Sequence, residues 1–418
     1  MVDKALYFKC LALPTGLGQE CNMSLEPSLA TRAVATDLID DVLRERRSFD
    51  SALAHHNSIE VMSARDRAFV HTLAITTLRR LGTIDHLLDL CLQRPLPRRA
   101  QKVHDILRVG LCQILFMEVA DYGAVATCVE LTRQLGHSAH IKLVNAVLRR
   151  LGREGPKMVC DLDEARINTP EWLWDKWSAA YGEDICRQMA GAHLAGASLD
   201  ISTKGDPQKW AAELGGDILF TNTIRLKNHG QVTKIPGFQD GQWWVQDAAA
   251  QLVVEMAGDV TDKSVIDLCA APGGKTAQFL ARGAKVIAVD RSATRLERLK
   301  QNMERLKFKP LVVKADVSNW RPKRSADVVM LDAPCSATGT ARRHPDVLWS
   351  KSESDITQLA AIQQGMMSAA AESVAPGGLL IFATCSLQPE EGIDHVSPFL
   401  NTHSEFQLEP LTATDVHG

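Results

Sequence analysis

The sequence predicts three regions of different class: an all-α helical domain, a small α+β middle module, and an α/β domain with a doubly wound parallel sheet. Two observations carry this. Before about Gly155, apolar residues recur at three-and-four spacing, the period of amphipathic helices. After about Lys234, short apolar runs alternate with helical stretches, the order of strands joined by crossover helices. At 418 residues the chain exceeds one ordinary core.

Residues 1–24 carry Lys4 and Lys9 but no sustained apolar segment of a secretory leader. They are expected to be a disordered tail, with translation starting at Met1 or Met23. The helical domain is expected over 25–155. Its stripes are Ala35, Leu38, Ile39 and Val42; Leu107, Leu111, Ile114 and Leu115; and Val144, Val147, Leu148 and Leu151. The Arg94-Pro95-Leu96-Pro97-Arg98 run breaks the pattern between helices.

The middle module is expected over 156–235. Thr169-Pro170-Glu171-Trp172 reads as a helix start: an N-cap threonine, proline at the first position and an acid in the first turn. Trp172, Trp174 and Trp177 come next, with packing the expected role and base stacking the alternative. Strands are expected near 199–202 and 218–220. In the α/β domain, 236–418, strands are expected at 265–269, 285–290, 311–313, 326–331 and 378–382, making the domain Rossmann-like.

Composition narrows the class. No apolar run approaches the ~18 residues of a membrane span. The 10 cysteines contain no C-x-x-C pair, which opposes a zinc site or disulfide framework and fits a reducing cytoplasm. A cytoplasmic monomer without metal is expected. The net charge of −3 conceals basic clusters between Arg79 and Arg108 and between Arg133 and Lys157. Such clusters are either solvated helix faces or polyanion contacts.

The turn Cys269-Ala270-Ala271-Pro272-Gly273-Gly274-Lys275 comes after the first strand of the α/β domain. It lacks G-x-G-x-x-G and the first glycine of a P-loop, so a phosphate cradle is disfavoured. Its glycines still admit a ligand close to the backbone. Asp290 ends the next strand, where an acid accepts hydrogen bonds from ribose. Asp316 lies after the third and could take an exocyclic amine. An adenosine-bearing cofactor without pyrophosphate fits, and S-adenosylmethionine is one.

Asp332-Ala333-Pro334-Cys335-Ser336 and Thr384-Cys385-Ser386 each lie directly after an apolar strand. Both cysteines are therefore placed at carboxyl ends of strands in one sheet, where such sheets keep their sites. A thiolate is a strong nucleophile. Added to C6 of a cytosine, it turns the ring into an enamine with a nucleophilic C5. An acid near N3 favours the addition, and a second thiol can assist expulsion of the first. The bland alternative is a pair of buried, inert thiols.

The run Asp267 to Thr276, with the Asp-Ala-Pro-Cys and Thr-Cys-Ser motifs, resembles the signature of the RNA cytosine-C5 methyltransferases, the Nol1/Nop2/Sun family. The loop Gly339-Thr340-Ala341-Arg342-Arg343-His344-Pro345-Asp346 resembles that of the bacterial 16S (small-subunit) rRNA methyltransferase B group. The helical half resembles the NusB-like RNA-binding domain fused to those enzymes. The resemblance implies Cys385 as nucleophile, Cys335 in product release, and Asp332 between cofactor and base. It implies cofactor contacts at Cys269, Ala270, Ala271, Pro272, Gly273, Gly274, Lys275, Asp290, Asp316 and Asp332. It implies small-subunit ribosomal RNA as partner and turns the basic clusters toward RNA, with Arg98, Arg99, Arg342 and Arg343 as candidate contacts.

Two departures accompany it. The antiparallel hairpin usual at the end of the family's fold is expected to be missing after Leu411 to Gly418, and Gly392 stands where asparagine is usual. The alternative reading is an RNA-binding assembly or antitermination-type protein with a vestigial methylase half. Intact Asp290, Asp316, Asp332, Cys335 and Cys385 oppose it. DNA cytosine-C5 methylation places its nucleophile in the Pro-Cys motif and needs no Thr-Cys-Ser cysteine, so Cys385 favours RNA.

Overall fold

The computed structural model describes residues 26–92, 94–219, 223–227 and 230–409. The expected tail, Phe220 and the C-terminal residues 410–418 lie outside the described residues. The chain divides into two compact units, Met1–Glu164 and Ala165–Gly418.

The first unit is helical. Its main helices span Pro27–Leu43, Ala64–Arg79, Leu81–Cys91, Gln101–Phe116, Asp121–Gln134 and Ile141–Cys160. The apolar stripes face one core: Leu38, Ile39, Leu107, Leu111, Val144 and Leu148 are fully buried. Ile114 and Leu115 pack at its margin. The proline-rich run lies between helices, with a 3-10 turn at Arg98–Ala100 that leaves Arg98 and Arg99 exposed.

The last helix runs past the boundary expected at 155. Gly155 is not a stop. It is buried against Leu115, and an added Cβ would meet Leu115 Cδ2 at 3.1 Å. Packing overrides the local breaker signal of Gly155-Pro156.

Inside this unit sits an ionic cluster. Asp105 is fully buried and accepts from both Nη atoms of Arg44 at 2.9 Å and from Arg108 Nη1 at 2.9 Å. Arg108 also donates to both oxygens of Asp85, from Nε at 2.7 Å and Nη2 at 2.6 Å. Burial alone would lower the pKa of Arg108, but Asp85 and Asp105 outweigh it and raise it. Removing one partner of such a cluster leaves buried charge uncompensated. Asp105→Ala is therefore expected to cost about 3 kcal/mol, read as a lower urea midpoint for helical unfolding; an unchanged midpoint would count against the cluster.

The second unit opens with helices Glu171–Tyr181 and Glu183–Ala195. The cap differs from expectation: Pro170 occupies the N-cap with no side-chain hydrogen bond. Thr169 is committed elsewhere, donating its hydroxyl to the Ala165 carbonyl at 2.9 Å. Trp174 and Trp177 are buried with Leu173, Val347 and Leu348, so packing is their role.

Strands β1 (Leu199–Thr203), β2 (Asp217–Ile218), β3 (Ile224–Leu226) and β4 (Trp243–Val245) come next. Among the described residues they pair antiparallel in the order β2-β3-β1-β4. β4 lies beyond the module boundary expected at 235, and β3 has no counterpart among the expected strands. Neither is longer than three residues, too short for a periodic signal. At Gly241, φ is +65°, and an added Cβ would stand 1.9 Å from the Arg305 carbonyl oxygen. Only glycine admits that approach. Arg305 Nη1 in turn donates to the carbonyls of Phe238 and Trp243 at 2.7 and 3.1 Å, fixing the module to helix Ala293–Arg305.

Strands β5 (Ser264–Leu268), β6 (Lys285–Asp290), β7 (Leu311–Lys314), β8 (Ala326–Asp332) and β9 (Val374–Ala383) form the parallel sheet. Their order among the described residues is β7-β6-β5-β8-β9. The order reverses between β5 and β8, the switch point where doubly wound sheets bind ligands. β9 begins four residues before the expected strand, with a register shift opposite Ala326 and Val328. The Pro376-Gly377-Gly378 run hid that extension, since proline and glycine read as a loop.

Candidate active site

β8 and β9 run parallel with Asp332 opposite Ala383. Ala333 N donates to the Ala383 carbonyl at 2.9 Å, one step beyond the ladder. The two chains then diverge into the loops that carry Cys335 and Cys385, whose Sγ atoms stand 3.2 Å apart. Gly339 N donates to the Cys385 carbonyl at 2.9 Å. The two thiols are unlike. The hydrogen bond from Cys335 draws the Cys385 pKa down against the opposing effect of burial. The same bond and burial push Cys335 up. Of the pair, Cys385 is thus the more acidic thiol and Cys335 the less acidic.

Asp332, at the end of β8, accepts from Lys275 Nζ at 2.8 Å. Lys275 belongs to helix Gly274–Ala281, which starts directly after the turn that leaves β5. Cys269 has φ +61°, and burial, with Asp290 and Asp332, pushes its thiol up to about 12. Its contribution is backbone shape, not thiol chemistry. Ala270 N donates to the Val289 carbonyl at 3.0 Å, holding the turn against β6.

Asp290 is buried at the end of β6. Its oxygens accept from Ala271 N at 3.2 Å and Ser292 N at 2.9 Å, with Arg295 Nη1 at 3.4 Å. Asp267 is the third carboxylate here. It accepts from the Thr276 hydroxyl, while its Oδ1 is buried with no hydrogen-bond partner among the described residues. A set of carboxylates at three strand ends, one oxygen orphaned, suits a ligand bearing hydroxyls and an ammonium group. S-adenosylmethionine carries both, so the residues fit it.

Other expected contacts sit differently. Asp316 is exposed and its Oδ1 accepts from Ser318 N at 2.9 Å, capping a turn after β7. Arg342 Nη2 donates to Asp247 at 2.8 Å and Arg343 Nη1 lies 3.5 Å from the same carboxylate. Asp247 caps helix Ala248–Glu255. These arginines are therefore tied to a local ion pair, whereas Arg98 and Arg99 are exposed in the other unit.

Sequence reasoning missed the polar cluster behind the cysteines. Glu391 is fully buried. Its Oε1 accepts from Ser336 N at 2.9 Å and Gln363 Nε2 at 3.0 Å. Its Oε2 accepts from the hydroxyls of Ser336 and Ser386, each at 2.5 Å. Adjacent Glu390 instead pairs with Lys176 at 2.5 Å. Two consecutive glutamates gave no sign of which one turns inward.

Comparison with known proteins adds to this geometry. A family model described as 16S rRNA methyltransferase RsmB/F matches residues 256–418, and the NusB family model matches residues 29–153. Ribosomal RNA small subunit methyltransferase B of Shewanella oneidensis is 33% identical over 396 residues, 91% of this chain and 92% of that protein. The chain belongs to the ribosomal RNA small subunit methyltransferase B family. The Cronobacter sakazakii member is 31% identical, covering 94% of this chain and 95% of its own. The crystal structure of PH0851 shares the fold at a TM-score of 0.71 and 22% identity, over 94% of this chain and 93% of that one. The helical NusB-like half and the Rossmann-like methyltransferase sheet are thus those of the family.

Asp267 gives a pH test independent of turnover. Burial pushes its carboxyl from an ordinary 3.8 up to about 7. Between those values the folded chain holds a proton that the unfolded chain has released. Its contribution is complete below about 3.8 and is lost as pH rises to about 7. Urea unfolding of wild type and Asp267→Asn at pH 5 and pH 8 is expected to show wild type losing stability relative to the variant at the higher pH. Parallel pH dependences would refute the buried, protonated carboxyl.

Proposed function

We propose that this chain transfers a methyl group from S-adenosylmethionine to C5 of a specific cytosine in 16S rRNA, through a covalent bond between Cys385 and C6. The observation that carries the reading is the 3.2 Å pairing of two unlike thiols beside Asp332. The names of the curated relatives support ribosomal RNA as the substrate.

When bound, S-adenosylmethionine supplies an electrophilic methyl group. Asp290 would hold its ribose hydroxyls and Asp332 its ammonium group, and the Cys269 to Lys275 turn would admit it close to the backbone. The target cytosine leaves its stack to enter the site. The Cys385 thiolate adds to C6, and the ring electrons move onto N3 and C5. A proton donor at N3 stabilises that charge. C5 then takes the methyl group. A water acting as base then takes the C5 proton, the C5–H electron pair reforms the C5=C6 bond, and the C6–S pair returns to Cys385. Cys335, held protonated, stabilises the departing thiolate through its S–H.

Cys385→Ala is expected to abolish methyl transfer while cofactor affinity, measured by titration calorimetry, is retained; full activity would sink the reading. Cys335→Ala is expected to accumulate a protein–RNA adduct visible on a denaturing gel. Mapping C5-methylcytosine in 16S rRNA with and without the protein identifies the nucleotide. Failure to bind the cofactor at all would favour the RNA-binding scaffold instead.

The exposed Arg98 and Arg99 are candidate phosphate contacts. Arg98→Glu with Arg99→Glu is expected to weaken RNA binding at low salt and reduce the salt slope by about two, without change in cofactor affinity. Unaltered RNA affinity would remove this turn from the interface.

A further inference from the structure

The loops bearing Cys335 and Cys385 come from different strands and are bonded to each other directly at several points. Gly339 N bonds the Cys385 carbonyl, and Leu387 N bonds Thr338 Oγ1 at 3.0 Å. Between them lies Glu391, on the 3-10 turn Pro389–Glu391. Its carboxylate takes four donors: the backbone and hydroxyl of Ser336, the hydroxyl of Ser386 and the amide of Gln363. Ser336 comes directly after Cys335, and Ser386 directly after Cys385. The two hydroxyls are themselves 3.0 Å apart.

Gln363 holds the cluster from outside. Its Nε2 also donates to the Pro334 carbonyl at 2.9 Å, and its Oε1 lies 3.0 Å from His395 Nε2. Thr384 Oγ1 donates to the Glu391 carbonyl at 3.1 Å. The residues before and after each cysteine are therefore bonded, directly or through Gln363, to one glutamate.

We infer that Glu391 is a positioning residue that clamps the two cysteine loops so that the Cys335 S–H is aimed at Cys385. A buried carboxylate with four donors is well satisfied, and hydrogen bonds to a charged acceptor are stronger than neutral ones. The clamp converts a pair of nearby cysteines into a directed donor and acceptor, and thereby favours the ionised form of Cys385. The inference rests on the assignment of Cys385 as nucleophile, but its test does not require turnover.

The test is the pH profile of Cys385 alkylation by iodoacetamide in the full chain, read out by peptide mass spectrometry. Glu391→Ala is expected to move the profile to higher pH and to lower single-turnover methyl transfer by about tenfold or more, with cofactor affinity unchanged. Glu391→Gln is expected to stay near wild type. Its amide can donate to both serine oxygens while its carbonyl accepts from Ser336 N and Gln363. A folded Glu391→Ala protein with the wild-type profile overturns the inference. Should that variant not fold, Ser336→Ala with Ser386→Ala removes both hydroxyl donors and is read the same way. If the alkylation profile shifts but Cys385→Ala still methylates RNA, the clamp stands and the nucleophile assignment falls.

Discussion

The parallel pairing of β8 with β9 sets Asp332 opposite Ala383, and the chemistry of the site depends on that register. A shift of one residue would turn every side chain on β9 to the other face of the sheet. The thiols would then be carried apart by loops that no other strand could correct. β8 is flanked by β5 on its other side, so it delivers Asp332 and Cys335 next to the turn that carries Lys275. One central strand thus links the Lys275-paired carboxylate of Asp332 to the paired thiols.

The site mixes groups that are costly to bury and groups that offset the cost. Asp267 retains one orphaned oxygen and a carboxyl pushed up to about 7. Asp290 and Glu391, in contrast, are buried with several donors each. The contrast separates roles. The bonds of the satisfied carboxylates hold backbone and loops in place, whereas the buried Oδ1 of Asp267 has no hydrogen-bond partner among the described residues. The helical unit uses the satisfied kind for stability alone: Asp105, buried with Arg44 and Arg108, anchors helices and brings no reactive group with it.

Much of the fold was legible in the sequence. The stripes at Leu38, Leu107 and Val144 and the runs at Val265, Val286 and Val328 have clear periods. What escaped was local and short. β3 and β4 have three residues each, Gly155-Pro156 is held helical by packing on Leu115, and Thr169 bonds backward instead of capping forward. In each case a tertiary contact outweighed a local preference.

The sequence by itself pointed to the class of chemistry proposed for the site. Two cysteines after strand ends, a glycine turn and carboxylates at successive strand ends are chain-local patterns, because each depends only on the few residues directly after a strand. Only the tertiary structure decided how these groups divide their roles. It brought the thiols to 3.2 Å, buried Glu391 against both cysteine loops and paired Glu390 with Lys176. It also tied Arg342 and Arg343 to Asp247. Hydrogen-bond direction, burial and ion pairing depend on residues distant in the chain, and no period or motif encodes which partner a side chain will meet.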